Sequence, residues 1–109
     1  MTSLTTYTFD TNNIRTVERN GEPWFMVADV CRVLAITNTS QAVESISADR
    51  KAMLNIGLRG RAPWMVNEAG LYDLVLQSRK PDAQAFKQWV TGTVLPAIRK
   101  DGAYVMGEE

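Results

Sequence analysis

The sequence predicts an α+β fold: an N-terminal β-hairpin, a helix-turn-helix-like pair, a second β-hairpin and then C-terminal helices. Three observations carry that reading. Ile14-Arg15-Thr16-Val17-Glu18-Arg19 alternates apolar and polar residues, and β character returns at Trp24-Phe25-Met26. Apolar residues then shift to helical spacing at Val27, Val30, Cys31 and Leu34. A turn at Arg59-Gly60-Arg61 separates two further strand-like stretches, and helical spacing resumes after Asn67. With 109 residues, 45% of them hydrophobic, the chain suits one domain. Its core is expected over residues 5–104, with 105–109 as a tail.

Taken in order, Tyr7-Thr8-Phe9 reads as a short strand and Thr11-Asn12-Asn13 as the turn after it. Asn20-Gly21 joins the next two strands, because both residues tolerate positive φ in a two-residue hairpin loop. Val27 to Ile46 scans as helix, tight turn, helix. Asn38 or Thr39 starts the second helix, Asn38 with Gln41 imitating a capping box, and Ala42, Val43 and Ile46 face the first. Lys51 to Leu58 and Ala62 to Val66 read as the second hairpin. Pro63, which has no N–H for a ladder, puts the return strand at an edge. Asn67 caps a helix with a Leu71, Leu74, Val75 stripe that ends near Ser78. Pro81 suits the first position of another, with Phe86, Trp89 and Val90 buried. Gly92 and Leu95-Pro96 are expected to break or bend it, leaving a last helix from about Pro96 to Asp101.

The composition excludes most catalysis. The chain has no histidine, which removes the commonest general base and metal ligand. Its single cysteine, Cys31, belongs to an apolar helical face and reads as a small core hydrophobe. One cysteine allows no internal disulfide and no cysteine-based zinc site. No glycine-rich phosphate loop or nucleophile elbow is present. Asp29, Glu44, Glu68 and Asp73 fall near helix starts or on polar helix faces, where dipoles and solvent account for them. Neither an enzyme nor a cofactor or metal is expected. The threonine-rich first ten residues lack the apolar core of a signal peptide, and no stretch suits a membrane span. A cytoplasmic protein is expected.

Formal net charge is zero, but its distribution is not even. Residues 50–100 carry nine basic and three acidic side chains, a local +6. Within that set Arg59 and Arg61 flank a glycine at a hairpin tip, and Arg79-Lys80 lie in a loop before Pro81. Loop cations are explained less by helix electrostatics than Arg99 and Lys100, so Arg59, Arg61, Arg79 and Lys80 are the candidate contacts, with Arg50 and Lys51 beside them. A helix pair followed by a hairpin with basic tip residues is the order of a winged-helix DNA binder. The second helix of the pair offers Ser40, Gln41, Glu44 and Ser45 to a groove, with no arginine or lysine to read bases.

Several separated blocks resemble one family. They are Glu22-Pro23-Trp24-Phe25-Met26-Val27-Ala28-Asp29-Val30-Cys31, Asn67-Glu68-Ala69-Gly70-Leu71-Tyr72, Ser78-Arg79-Lys80-Pro81, Ala85-Phe86-Lys87-Gln88-Trp89-Val90, and the run from Val94 to Tyr104. In this order they resemble the Bro-N domain of prophage antirepressors and related viral BRO proteins. The resemblance implies a phage or prophage regulatory domain in the bacterial host cell, binding DNA without catalysis to modulate transcription. It implies equally a module that binds and inactivates a phage repressor without touching DNA. Both partners, DNA and a repressor protein, stay open. Strands left at a sheet edge also offer a route to a homo-oligomer. The family's usual glycine at the end of the first helix is Ala35 here, and antirepressors commonly carry a further C-terminal domain, whereas this chain ends at Glu109.

Overall fold

In the computed structural model the described residues are 3–9, 11–55, 57, 60, 62–81 and 83–100. They form a five-stranded antiparallel sheet and five α-helices. The strands are β1 (Ser3–Phe9), β2 (Asn12–Arg19), β3 (Glu22–Met26), β4 (Lys51–Met53) and β5 (Trp64–Val66). The helices are α1 (Val27–Leu34), α2 (Thr39–Glu44), α3 (Glu68–Gln77), α4 (Ala83–Trp89) and α5 (Leu95–Lys100). The sheet order is β1-β2-β3-β5-β4.

Local chemistry sets the first three strands. Asn20 and Gly21 both adopt positive φ, 55° and 78°, and Arg19 pairs with Glu22 across them. That is the two-residue turn whose twist matches the strands it joins. β1 is longer than Tyr7-Thr8-Phe9 alone suggests, and Phe9 pairs with Asn12, so the first turn falls earlier than Thr11-Asn12-Asn13. Asn12 and Asn13 belong to β2, where pairing along all of β1 outweighs their turn preference.

Of two expectations about proline, one fails for a definable reason and the other holds in a different form. The strand after Pro63 is interior, not an edge: β5 lies between β3 and β4. Pro63 stands just before β5 opposite Leu54: its carbonyl accepts from the Leu54 N–H at 3.2 Å, and its missing N–H leaves that pair with one bond where the ladder ends, clear of the pairing between β5 and β3. The edge is β4, which ends at Met53 rather than reaching Leu58; Ile56 and Leu58 lie outside the described residues. Around Gly92 and Pro96 the regular α-helix is interrupted and a last helix starts at Leu95, close to the expected Pro96, but the chain does not leave the helix. A π-helical turn over Val90–Val94 carries α4 directly into α5, with the Leu95 N–H donated to the Val90 carbonyl. The wider turn displaces the carbonyl that the Pro96 ring would meet in a regular helix. The expected stop of the last helix, at Asp101 and Gly102, lies outside the described residues.

The helices cover one face of the sheet. Strand alternation puts Phe25 and Val66 on that face, where they join Val30, Leu34, Leu71, Leu74, Phe86 and Val94 in the main core. Phe9 of β1 stacks edge-on against Phe86 at 5.4 Å and lies 5.2 Å from Trp89, tying the first strand to α4. Val17, Trp24, Met26 and Met65 form a smaller buried cluster on the other face.

Caps fasten the helix ends. Asn38 accepts from the Gln41 N–H at 3.1 Å, and its amide donates to the Gln41 side chain, the capping arrangement expected at α2. Asn67 accepts from the Gly70 N–H at 2.9 Å at the start of α3. α1 ends in a Schellman motif, with Ile36 N–H bonded to Cys31 O at 2.9 Å and Ala35 left-handed at φ 58°. An alanine thus occupies a conformation that favours glycine.

Candidate nucleic-acid or partner interface

The helix α2 is the centre of the candidate surface. It buries only Ala42 and Val43 and leaves Ser40, Gln41 and Glu44 exposed. On one side a groove of mixed polar and apolar lining, about 780 Å³, runs between the α1–α2 connection and the end of α3, with Thr37, Asn38, Gln41, Ser45, Gln77 and Arg79 among its lining residues. On the other side a smaller, mainly apolar cleft of about 200 Å³ lies between Thr39, Ser40 and Val43 and the Pro63-Trp64 end of the β4–β5 hairpin. The helix is therefore flanked by the loop that bears Arg79 and by the β4–β5 hairpin. Gln77 donates to the Ser45 hydroxyl at 2.8 Å, bridging α3 to the end of α2 and fixing the groove's width.

The six candidate cations fare differently. Arg79 is exposed on the groove and, among the described residues, makes no hydrogen bond or ion pair. Lys80 donates its ammonium to the Val33 carbonyl at 3.0 Å, and Lys51 donates to the Val43 carbonyl at 2.9 Å. Each satisfies the last turn of a helix, α1 and α2, where unpaired carbonyls and the negative end of the dipole favour a cation. Lys51 also lies 5.5 Å from the Trp64 ring centroid. Arg50 grips Asp73 with two bonds of 2.9 and 3.1 Å, which raises the guanidinium pKa through that side-chain contact and the facing charge. Arg59 and Arg61 lie outside the described residues. Arg79 is thus the described candidate with a free head group.

Trp64 is the exposed indole, at 39%, and its cross-strand neighbour Met53 is 43% exposed, whereas Trp24 is buried. The two make an apolar shoulder on the hairpin beside the cleft.

Sequence reasoning misplaced one acid. Asp29 is not solvated at a helix start; it is fully buried. Its carboxylate accepts from the Arg15 backbone N–H at 2.9 Å, from Arg15 Nε at 2.8 Å and from an Arg32 guanidinium nitrogen at 2.8 Å. β3 leaves the sheet at Met26 to become α1, and the carboxylate takes the N–H of β2 that loses its strand partner there. Burial alone drives the Asp29 carboxyl up, but the Arg15 side chain and N–H and the Arg32 side chain prevail and hold it below its ordinary value. The signal available was an acid between apolar residues with an arginine three positions on. The cluster is structural and does not face the α2 surface. Burial pushes the Cys31 thiol up to about 11, so it is no nucleophile near neutrality. Among the described residues no group of three or more His, Cys, Asp or Glu side chains is placed to hold a metal ion, and no helix is long and apolar enough to cross a membrane.

Comparison with known proteins places this architecture. The model of the BRO family, N-terminal domain, matches residues 13–96, which takes in everything from β2 to the start of α5. The chain belongs to the BRO family. A protein of Haemophilus influenzae is 35% identical over 105 residues, spanning 93% of this chain and 52% of the relative. A putative Bro-N domain-containing protein of Invertebrate iridescent virus 3 is 29% identical over 128 residues, spanning 92% of this chain and 31% of the viral protein. This Bro-N chain spans about half the length of the first relative and less of the second. Among solved structures, the N-terminal domain of Orf22, a Cydia pomonella granulovirus envelope protein, superposes with a TM-score of 0.68 at 12% identity. The match covers 90% of this chain and 99% of that domain, so the Bro-N fold is shared across very distant sequences.

Proposed function

We propose that this Bro-N domain is a non-catalytic, DNA-binding regulatory module of the phage antirepressor type. The observation that carries the reading is the setting of α2: an exposed polar helix face flanked by the Arg79 loop and by the β4–β5 hairpin, two strands between which the sequence carries Arg59 and Arg61. In this reading the flanking loops hold phosphates, while Ser40 and Gln41 lie toward the groove. With no cation on α2, affinity comes mainly from the backbone contacts and sequence preference is modest. Arg50 and Lys51 act at the margin, since each already has an intramolecular partner.

A salt-dependent DNA titration tests this. Contacts by Arg59, Arg61 and Arg79 predict a slope of log K against log salt of about −2.7, steepening to about −3.6 when Lys80 also turns to a phosphate. Arg79→Ala should shallow the slope by about 0.9. Absence of binding at low salt, or an unchanged slope in an Arg59→Ala/Arg61→Ala/Arg79→Ala variant, overturns the reading.

A second reading is favoured by the apolar cleft and the exposed Trp64 beside α2. There the same surface occludes a phage repressor, with Trp64 as the aromatic anchor. Co-elution with the repressor, lost in Trp64→Ala and unaffected by Arg79→Ala, would select it over DNA binding.

A further inference from the structure

The two edges of the sheet are unlike. β4 is three residues long, follows a tight 3₁₀ turn at Ala48–Arg50 and carries Lys51. Short edges and edge lysines are common protection against strand addition. β1 has neither device. It runs seven residues, Ser-Leu-Thr-Thr-Tyr-Thr-Phe, with no charge, no proline and no break in its register against β2.

The side that β1 offers follows from the ladder. The Arg15 N–H points toward Asp29, on the β3 side, so alternate residues of β2, including Ile14 and Thr16, turn their backbone groups to β1. Their partners Tyr7 and Thr5 bond inward, as do Ser3 and Phe9. The N–H and C=O groups of Leu4, Thr6 and Thr8 then point away from the sheet, and no described residue pairs with them.

From this we infer that β1 is a self-association edge whose occupant is a second copy of this chain, paired antiparallel about a two-fold axis at Thr6. The register is dictated by the outward groups. Centring on Thr6 sets Thr6 against its own copy and Leu4 against Thr8, so that all three outward residues on each strand exchange both backbone groups. No other centre uses all of them. Like faces meet like faces in this register, because paired residues differ by an even number along the strand. Thr6 meets Thr6, and the 42% exposed Leu4 meets Thr8. An uncharged strand can meet itself without repulsion, which a charged edge cannot. The result is a continuous ten-stranded sheet with an isologous interface. An interface made by one strand edge is small, so the dimer is weak and concentration-dependent. The inference does not depend on the DNA reading.

Sedimentation equilibrium from about 1 μM to about 1 mM tests it, a range that spans weak affinities. The protein should pass from monomer to dimer, and Thr6→Pro should remain monomeric with an unchanged circular dichroism spectrum, since the lost N–H bonds to no described residue. A Thr6→Cys variant should be joined to its copy by a short bis-maleimide at dimer-forming concentrations; buried Cys31 stays unmodified. This second variant decides the matter should Thr6→Pro unfold. A monomer at every concentration overturns the proposal. So does a dimer that survives Thr6→Pro, or one in which Thr6→Cys gives no cross-linked product.

Discussion

The helices α1 and α3 both pack on the sheet and both have an acid paired with arginine, yet they are fastened by different physics. At α1 the acid is inside. Asp29 is fully buried and joins β2 to the helix through Arg15, with Arg32 from the next turn completing its shell. At α3 the ion pair is outside: Arg50 and Asp73 keep 42% and 29% of their side-chain surface in solvent. What seats α3 is contact. A β-carbon on Gly70 would lie 2.7 Å from the Arg50 carbonyl and 2.8 Å from Val66 Cβ, so the helix approaches the backbone more closely than any other residue allows. Removing one member of a charged pair is therefore costly where that member and its partners' facing groups are buried, as at Asp29, and cheap where both stay solvated.

The largest expected effect breaks the first joint. Asp29→Ala leaves the Arg15 N–H without a partner and two guanidinium groups facing a void. Because Arg15 and Arg32 retain water on their outer sides, the loss should fall at the low end for buried pairs, about 3 kcal/mol. Urea denaturation measures it; a loss below about 1 kcal/mol would mean the joint behaves like a surface pair. The same carboxyl predicts an acid dependence. Its folded pKa lies below the unfolded value, so its contribution is full above the unfolded value of about 3.9 and disappears as pH falls through the folded one. Asp29→Asn should flatten stability against pH below about pH 5, and the difference between the two curves isolates this group from other carboxyls.

Gly70→Ala tests the second joint. With backbone on one side and a β-branched residue of β5 on the other, neither neighbour can rotate away, and α3 must lift. About 2 kcal/mol of destabilisation is expected by thermal or urea unfolding. A neutral result would show that α3 slides freely on the sheet.

These joints also separate what was legible in the sequence from what was not. Asn20-Gly21, Asn38 with Gln41, and Asn67 announce themselves because turns and caps are decided within four residues. The α+β order and most of the core stripes follow from periodicity in the same way. Asp29 does not, since its main partner lies 14 positions upstream on a strand. The interior position of the Pro63 strand depends on β3 pairing with β5 rather than on the proline itself. At the candidate surface the residue types were legible but their availability was not. Arg50 and Lys80 are engaged by an acid and a helix carbonyl far along the chain and Lys51 by a carbonyl of α2, whereas Arg79 has no hydrogen bond or ion pair among the described residues.

Ala35→Gly acts at the other end of α1 and should stabilise. An alanine at φ 58° loses about 1–2 kcal/mol against the right-handed region, while glycine there adds unfolded-state entropy of about 0.5–1 kcal/mol. A net gain of about 0.8 kcal/mol should raise Tm by about 5 °C. A lower Tm would mean that the alanine methyl has packing that its exposed position does not indicate.

The smallest effect on stability is expected at the outer ion pair, and it is the most useful for function. Asp73→Asn should leave the urea midpoint within measurement scatter, because a partly solvated pair with one long, flexible side chain contributes little. It does, however, release Arg50, which stands beside the β4 end of the hairpin. If DNA is the partner, a freed Arg50 adds a phosphate contact and the salt slope should steepen by about 0.9. If a repressor seated on Trp64 is the partner, the slope has no reason to move. One substitution thus leaves the fold alone, completes the contrast with Asp29, and separates the two readings of the α2 surface.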